Sequence, residues 1–419
     1  MRRSALPIFG ASLALILACS SCPISFGGQE GTFVSPTVEP TAPLTTEPAA
    51  GPTGAPMIPT GSAIPEPSSV PPVAGLERAF SSVHMLDASA GWAIAASQHI
   101  LITGDGGSTW RDVTPPQAIG AGPFLGTAEA SFVTADTAWV MYYEENLYPG
   151  FAVLFHTSDG GQTWLWSSEI FFETWAEFYD PSLWFADDRN GWFLAEGYTP
   201  GLGGTWDTQL YRTTDGGATW DHQAIDGCGR TQMDFSDPEN GWLTEGCRGP
   251  YIDPVEPSFW VTDDGGEHFQ HLGLPIPGQA LSLDPPDQQC TTRSPQMFAG
   301  QAGVLIVACY EHEADATPNE FLFPTSNEWL GDIVWYPYPG RTLQMVSEDV
   351  GWATGRILYR TRDGGQSWGQ VSTVDWDGQF SFIDGQEGWA VAQLADQGIL
   401  LHTADGGSTW QEVNPQILP

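Results

Sequence analysis

One short segment recurs six times in this chain of 419 residues. It reads Thr, any residue, Asp-Gly-Gly, two further residues and a closing aromatic residue, and we call it the Asp-Gly-Gly turn. Regular recurrence of this kind is typical of repeat architectures such as propellers and solenoids. The six copies are Thr103–Trp110, Thr157–Trp164, Thr213–Trp220, Thr262–Phe269, Thr361–Trp368 and Thr403–Trp410.

The composition of the turn suits a tight connection between two β-strands. Its aspartate can accept hydrogen bonds from backbone N–H groups, and its paired glycines adopt positive φ without a steric penalty. The closing aromatic residue begins the next strand as a large apolar plug. We therefore predict a structural and not a catalytic role for Asp105, Asp159, Asp215, Asp264, Asp363 and Asp405.

A second marker precedes each turn. It is a Gly-Trp pair, or Ala-Trp in one copy, and it follows a short alternating segment; the tryptophans are Trp92, Trp139, Trp192, Trp242, Trp352 and Trp389. Together the two markers predict units of four short strands bounded by turn residues. In the first unit the predicted strands are Ser82–Asp87, Trp92–Ala96, Ile100–Gly104 and Thr109–Val113.

Four cysteines form two pairs with the same spacing. Cys228 and Cys247 are 19 positions apart, as are Cys290 and Cys309, and the second pair follows the first by 62 positions. We predict the disulfides Cys228–Cys247 and Cys290–Cys309, although four cysteines allow three pairings and buried free thiols are the alternative. Disulfides of this kind require an oxidising compartment.

The cysteine offset also reveals a seventh unit. Neighbouring turn aspartates lie 42 to 56 positions apart, except for the 99 positions between Asp264 and Asp363. Sixty-two positions after Gly241 comes Gly303, which opens a predicted second strand over Val304–Cys309. In this unit Asn327 stands where the turn aspartate is expected.

Seven such units predict an all-β fold. We expect a seven-bladed β-propeller of four-stranded antiparallel blades over residues 76–419, with a linear solenoid as the alternative. The first and last blades are both complete in chain order, so no exchanged strand is evident. Residues Gly75 to Phe80 are the candidates for one.

The first 18 residues predict a lipoprotein signal peptide. Two arginines precede an apolar run from Ala5 to Ala18, which is too short to cross the ~30 Å core of a bilayer. The run ends in Ile16-Leu-Ala-Cys19, which resembles a bacterial lipobox, so we predict lipidation of Cys19. Cys22 is a weaker candidate, and ordinary signal cleavage is the alternative.

Residues 19–75 predict a disordered tether. They are dense in proline, threonine, serine and alanine, and they lack the periodic apolar pattern that a packed core requires. We therefore expect an extracytoplasmic protein that is held to a membrane by its lipid, at the cell surface or in the periplasm.

The repeated markers place the chain, from about residue 76 onward, among proteins that resemble the BNR or Asp-box family. Within that family the alternation of Gly-Trp with the turn is most similar to the photosystem II stability and assembly factor and its bacterial relatives. The resemblance implies the propeller fold and leaves function open, because Asp boxes also occur in sialidases, xyloglucan hydrolases and sortilin.

The residues argue against the enzymes among these relatives. A sialidase resembling the known ones needs a Phe-Arg-Ile-Pro segment, three arginines and a Tyr/Glu pair; the segment is missing from this sequence. The xyloglucan hydrolases place two carboxylates between two propellers, and only one propeller fits here. No spacing requires the available arginines to converge; those considered are Arg78, Arg189, Arg230, Arg248 and Arg293.

Metal and cofactor sites are not predicted. The eight histidines show no metal-ligand spacing. His312, with Glu311, Glu313 and Asp315, is the most tempting cluster, but a solvated acidic loop explains it more simply.

Charge narrows the range of partners. All 13 basic residues are arginines; without Arg2, Arg3 and the four tether glutamates, 11 basic and 47 acidic residues remain, a net charge of −36. Such a field repels the phosphates of nucleic acids and of bare anionic membranes. It also sets this chain apart from the photosystem factor, because the resemblance implies the use of an arginine-rich patch and the charge of this chain does not support that role.

Strand order predicts where binding occurs. If the turns lie on one face, the loops that join second to third strands and one blade to the next lie on the other, which we call the loop face. These loops are long in blades 2 to 5, over 142–148, 170–179, 197–206 and 249–256. We predict ligand contacts there from Trp175, Tyr179, Tyr198, Trp206 and Tyr251, with Glu144, Glu145 and Asp253 as polar partners.

The alternative for these aromatic residues is packing within the loops themselves. On balance the sequence predicts a non-catalytic binding or assembly-assisting module that recognises a protein or glycan of the cell envelope. The alternative is a carbohydrate-active hydrolase, sialidase-like or of another glycoside hydrolase type. Nothing in the sequence fixes the oligomeric state.

Overall fold

The computed structural model describes the repeat region with several gaps. All described residues belong to the compact unit Pro67–Pro419. They are residues 75–118, 126–143, 151–171, 177–199, 205–225, 231–244, 246, 257–274, 289–310, 318–325, 334–336 and 342–418.

The predicted seven-bladed β-propeller is confirmed. Seven sheets follow one another along the chain, each with four antiparallel strands in sequence order, and the first sheet carries a fifth, parallel strand. The strands are β1 Phe80–Met85, β2 Gly91–Ala95, β3 His99–Thr103, β4 Thr109–Asp112, β5 Thr127–Phe132, β6 Ala138–Tyr143, β7 Phe151–Thr157, β8 Leu165–Phe171, β9 Glu177–Phe185, β10 Gly191–Thr199, β11 Thr205–Thr213, β12 Asp221–Ile225, β13 Met233–Phe235, β14 Gly241–Thr244, β15 Ser258–Thr262, β16 Gln270–Gly273, β17 Gln289–Ala299, β18 Ala302–Tyr310, β19 Asn319–Thr325, β20 Val334–Tyr336, β21 Thr342–Met345, β22 Gly351–Thr354, β23 Ile357–Thr361, β24 Gly369–Thr373, β25 Asp377–Phe382, β26 Gly388–Leu394, β27 Gln397–Thr403, β28 Gln411–Glu412 and β29 Gln416–Leu418.

The Asp-Gly-Gly turn is held by its own side chains. In blade 1, Asp105 accepts hydrogen bonds from the backbone N–H of Thr109 at 2.8 Å and from its hydroxyl at 2.7 Å. Thr103 donates to the same carboxylate and accepts from the N–H of Gly107, whose φ is +91°. The equivalent bonds to Thr219 lower the pKa of Asp215 in blade 3.

The tryptophan of the Gly-Trp pair links one blade to the next through a hydrogen bond. All six of these indoles are buried. In four blades the indole N–H donates to the carbonyl of the first turn glycine in the following blade: Trp139 to Gly216, Trp192 to Gly265, Trp352 to Gly406 and Trp389 to Gly106, at 2.8 to 3.2 Å. The two sequence markers therefore form one inter-blade joint.

The first strands of neighbouring blades contact one another around the ring. Each first strand is the edge of its sheet, and its free backbone N–H groups need partners. Side chains of the preceding blade supply them at five junctions. The pairs are Ser131 with Phe185, Asp234 with Met297, Gln296 with Met345, Gln344 with Phe382 and Ser381 with Met85.

Blade 5 exists where the cysteine offset predicts it. Its strand β18 contains the predicted segment Val304–Cys309. Asn327 lies outside the described residues. In β20 the fully buried ring of Tyr336 packs edge-to-face on Trp368 of blade 6, with centroids 5.5 Å apart.

The ring is closed by a strand that the sequence analysis missed. β29 pairs in parallel with β4 in blade 1, where Gln416 lies opposite Thr109. The candidate segment Gly75–Phe80 instead forms a 3-10 turn over Leu76–Arg78 and a single parallel bridge from Ala79 to Gly398. A three-residue strand has too few positions to show alternation, so sequence reasoning could not detect it.

Within the described ranges, the 3-10 turn is the one helical element. No helix there has the length and apolar character needed to cross a bilayer.

Candidate binding site on the loop face of blades 3 to 5

Blade 3 carries the predicted aromatic residues that the structure describes. Tyr198 in β10 lies directly opposite Trp206 in β11, and Tyr179 in β9 lies opposite Glu196. All three positions are toward the end of the sheet that is remote from Thr213 and its turn. The structure thus brings Tyr179, Tyr198 and Trp206 to the loop end of one blade.

Half of the long loop predicted over 197–206 is strand, and residues 200–204 lie outside the described ranges. β10 continues to Thr199 and β11 begins at Thr205, so the hairpin extends about as far again as the equivalent pair in blade 1. The prediction was wrong because glycine and proline in Gly197-Tyr-Thr-Pro-Gly were interpreted as the start of a loop, whereas the pairing of the two strands continues through Gly197. Trp175, Tyr251, Glu144, Glu145 and Asp253 lie outside the described residues.

A group of buried polar side chains accompanies these aromatic positions, and sequence reasoning did not find it. Outside the turns, most buried polar residues of the described chain lie in blades 3 to 5, near the loop ends of their strands. They are Glu196, Thr208, Thr231, Thr244, Ser258, Thr291, Thr292 and Glu320. Buried polar groups usually have partners, and several of these residues are joined into a network by the hydrogen bonds described below, but the hydroxyls of Thr208 and Thr231 have none in the described part of the chain.

The network crosses from blade 3 to blade 5. Glu196 in β10 accepts the backbone N–H of Thr231, which leads into blade 4, at 2.5 Å. The next residue, Gln232, accepts the N–H of Ser294 in blade 5 at 2.6 Å. A second link joins the Thr292 hydroxyl to the carbonyl of Ser258, at 2.7 Å.

Arg293 and Glu320 form the charged part of this network. The Arg293 Nε and Nη2 atoms both donate to Glu320 Oε1. The glutamate side chain is 1% exposed and the arginine side chain 25% exposed. Glu320 therefore neutralises and orients a guanidinium that still reaches solvent.

The backbone beside Arg293 is distorted. Ser294 has a φ of +50°, which is uncommon for a residue other than glycine, and the register of β17 against β18 shifts between Arg293 and Gln296. A bulge of this kind redirects a side chain and often occurs beside functional sites. The bulge next to Arg293 therefore contributes to the direction in which the Arg293 side chain points.

A disulfide stiffens the same strands. It joins Cys290 to Cys309 across β17 and β18, as the duplicated spacing predicts. The bridge lies three positions from Arg293. Cys228 and Cys247 lie outside the described residues.

One cluster of side chains among the described residues has the geometry of a metal-binding site. Asp264, Glu267 and His268 can bring three ligand atoms within 4.8 Å of one another. His268 stands where the other turns have threonine or serine, and its ring bonds Asp264 at 2.7 Å. This bond raises the pKa of His268, and the turn structure accounts for the group without an ion. The cluster around His312 lies outside the described residues.

The fold is that of a seven-bladed β-propeller with four-stranded antiparallel blades and a polar network on one half of its loop face. The family model described as Photosynthesis system II assembly factor YCF48 matches residues 341–417, which include blades 6 and 7. The chain is similar to that family over this region.

Several solved structures resemble the chain. A structure of YCF48 bound to a D1 peptide is 17% identical, with a TM-score of 0.49, over 79% of this chain and 93% of that one. YCF48 from Cyanidioschyzon merolae is 18% identical, with a TM-score of 0.45, over 81% and 98%. The GH74 xyloglucanase from Xanthomonas campestris is 12% identical, with a TM-score of 0.48, over 82% of this chain and 55% of that one.

No curated protein sequence matches the chain. At such low sequence identities, the similarity to these structures supports a shared fold and nothing about function.

Proposed function

We propose that this chain is a non-catalytic propeller that assists assembly in the cell envelope by binding a protein or glycan on the loop face of blades 2 to 5. The observation that carries the proposal is the polar network from Glu196 to Glu320. Buried charged and polar side chains of this network hold the loop ends of three adjacent blades in place. A surface that is already rigid loses less conformational entropy when it binds a partner.

The type of partner is supported by the family similarity. Residues 341–417 match a family described as an assembly factor, and an assembly factor acts by binding other proteins. Tyrosine and tryptophan, which occur at Tyr198 and Trp206, are the residues that most often dominate protein interfaces and sugar contacts. The net charge of −36 favours a partner with basic groups.

Binding fits the described carboxylates better than hydrolysis. A glycoside hydrolase needs two carboxyl groups that face the substrate, one of them as an acid. Glu320 is paired with Arg293, and Glu196 accepts a backbone N–H group, so both of these buried carboxylates have structural partners. A hydrolase remains the competing outcome in the experiment below.

A further part of the proposal is the attachment of the chain to a membrane through lipidated Cys19, with residues 19–75 as a tether. Its support is the lipobox-like segment before Cys19. Intact-mass measurement of the protein purified from a bacterial host is expected to show a diacylglyceryl group on Cys19. An unmodified residue would refute the anchor without affecting the binding proposal.

The binding proposal is tested with the full-length protein as bait against envelope extracts and a glycan array. We expect a ligand retained by the wild type and by Leu394→Ala, which alters an exposed side chain on the short-loop side of blade 7. The variant Tyr198→Ala/Trp206→Ala is expected to retain at least about tenfold less. Equal retention by both variants, or turnover of a fluorogenic glycoside by the wild type, would overturn the proposal.

A further inference from the structure

The outer strand of blade 2 differs from the outer strands of the other blades. The two residues after the closing aromatic residue of the turn are polar or glycine in five repeats: Arg111-Asp112, Asp221-His222, Gln270-His271, Gly369-Gln370 and Gln411-Glu412. In blade 2 they are Leu165 and Trp166. Because the repeats share one fold, the five polar pairs show what this position requires for stability, and blade 2 departs from it.

The departure leaves apolar surface exposed. In β8, Leu165 is 64% exposed, Trp166 47% and Phe171 60%. These are the three most exposed large hydrophobic side chains among the described residues. Phe171 rests on Phe151, with ring centroids 6.4 Å apart, and Trp166 meets Phe155 edge-on at 6.0 Å. The two exposed rings lie on the same side of β8 as Glu169 and are held in place from beneath, whereas Leu165, opposite His156, lies on the other side of the strand.

Beyond Leu165, the other side of β8 packs on the next blade and on the core. The Ser168 hydroxyl accepts the indole N–H of Trp220 at 3.1 Å, and Ile170 is buried in the core. In the described part of the chain, β8 pairs with β7 alone, so its second edge carries no strand. Native proteins usually blunt such edges with charged residues, as the other blades do here.

Blade 1 shows how an outer edge of this propeller is covered. β29 lies parallel to β4, and Trp110 in β4 is fully buried. Ile417 of β29 packs against the neighbouring core cluster. An extended segment of a few residues with one apolar side chain is thus sufficient to occupy an outer strand.

We propose that the free edge of β8, flanked by Trp166 and Phe171 on one side and by Leu165 on the other, is a second docking surface, for an extended segment of another protein that carries both apolar and basic residues. The apolar residues would cover the exposed rings and leucine, as β29 covers blade 1. The basic residues follow from charge, because Glu169 is exposed between the apolar residues and the domain carries a net −36. The same charge opposes a second copy of this chain as the occupant.

Most of the surface lies away from the loop face, which it meets at Phe171, the last residue of β8. It lies on the outer strand, which begins at the turn end of blade 2, whereas Tyr198 and Trp206 lie at the loop end of blade 3. Loss of one activity is therefore expected to leave the other intact.

The test uses a fluorescent nine-residue peptide of alternating valine and arginine, measured by anisotropy against the full-length protein. Controls are an alternating valine–glutamate peptide and an arginine–serine peptide. The diagnostic variant Leu165→Gln/Trp166→His installs the pair that blade 4 carries at the same positions. Leu394→Gln, at another exposed leucine, is the matched control.

We expect saturable binding of the valine–arginine peptide, with at least about tenfold weaker affinity for the double variant, no change for Leu394→Gln and little binding of either control peptide. Equal binding by wild type and double variant would overturn the proposal, as would equal binding of the arginine–serine peptide. A wild-type dimer in sedimentation that the double variant dissociates would assign the surface to self-association instead. Thermal unfolding of each variant shows whether a loss of binding reflects a loss of fold.

Discussion

The indole N–H of Trp242 in blade 4 donates to the side-chain carbonyl of Gln301 in blade 5 at 3.0 Å. In four other blades the equivalent indole bonds a glycine carbonyl of the next Asp-Gly-Gly turn. The Gln301 amide also donates to the carbonyl of Thr262 and to Asn240, so one side chain joins two blades. A glutamine has replaced the turn as the partner of the tryptophan.

Gln301→Ala is therefore expected to destabilise the propeller. The change leaves the buried indole N–H and the Thr262 carbonyl without these partners, which costs about 1–3 kcal/mol in the free energy of unfolding. Equilibrium urea unfolding measures the loss. Gln366→Ala, at an exposed turn position, is the control and is expected to change stability by less than about 0.5 kcal/mol. Equal losses of stability in the two variants would show that the hydrogen bonds of Gln301 do not stabilise the contact between blades 4 and 5.

The Arg293–Glu320 pair predicts a non-additive response. Arg293→Met leaves a buried carboxylate without its cation and is expected to cost about 3–5 kcal/mol. Arg293→Met/Glu320→Leu removes both charges and is expected to recover most of that loss. The measurement is a double-mutant cycle in urea, completed by Glu320→Leu. Additive losses in the double variant would show that the two side chains are not coupled.

Asp234 predicts a pH dependence of stability. Burial raises the pKa of Asp234 to about 7, although its carboxylate accepts the N–H of Met297 at 2.6 Å. The folded state therefore binds this proton more tightly than the unfolded state, and its contribution to stability falls as pH rises from about 4 to about 7. Asp234→Asn keeps an acceptor and removes the titration, so its stability relative to wild type should increase by about 1–3 kcal/mol between pH 4 and pH 8.

The measurement is thermal or urea unfolding of both proteins at each pH, because a difference between them cancels the effect of the other carboxylates. Asp396→Asn removes a charge from an exposed turn and is the control. A pH-independent difference between Asp234→Asn and wild type would refute the assignment.

Removal of residues 416–419 is expected to weaken ring closure. The truncation deletes β29 and uncovers β4 and Trp110, with an expected loss of about 1–3 kcal/mol. Hydrogen exchange should increase first in β4 and in the facing strands of blade 7. Leu418→Gln alters a half-exposed side chain and keeps the strand, so it should have little effect. Unchanged exchange in β4 after truncation would show that β29 is not required for closure.

The sequence predicts the fold because its signals are local and repeated. Six Asp-Gly-Gly turns, five Gly-Trp pairs and one Ala-Trp pair mark both ends of short strands, and the cysteine offset places blade 5 where β18 lies. The joint between the two markers was not predictable, since the Trp389 to Gly106 bond joins residues 283 positions apart. The periodicity of a sequence indicates which residues of a strand face the core, but it does not indicate which residues of the next blade they contact.

The candidate site was predicted less completely. The aromatic residues Tyr198 and Trp206 were found because the segments between the sequence markers are long in this blade. Glu196 and Glu320 were missed because a lone glutamate within an apolar strand has the same appearance whether it is buried or exposed. The shared excess of polar residues at the strand ends of blades 3 to 5 is the signal that could have revealed them.

The parallel pairing of β29 with β4 has a consequence for how the chain folds. The two strands are separated by most of the propeller, so blade 1 can form long before its outer edge is covered. Contacts of such large sequence separation form late and slowly. Until they form, β4 is an open edge beside a tryptophan, and an incomplete ring of this kind is prone to pair with the same strand of another chain.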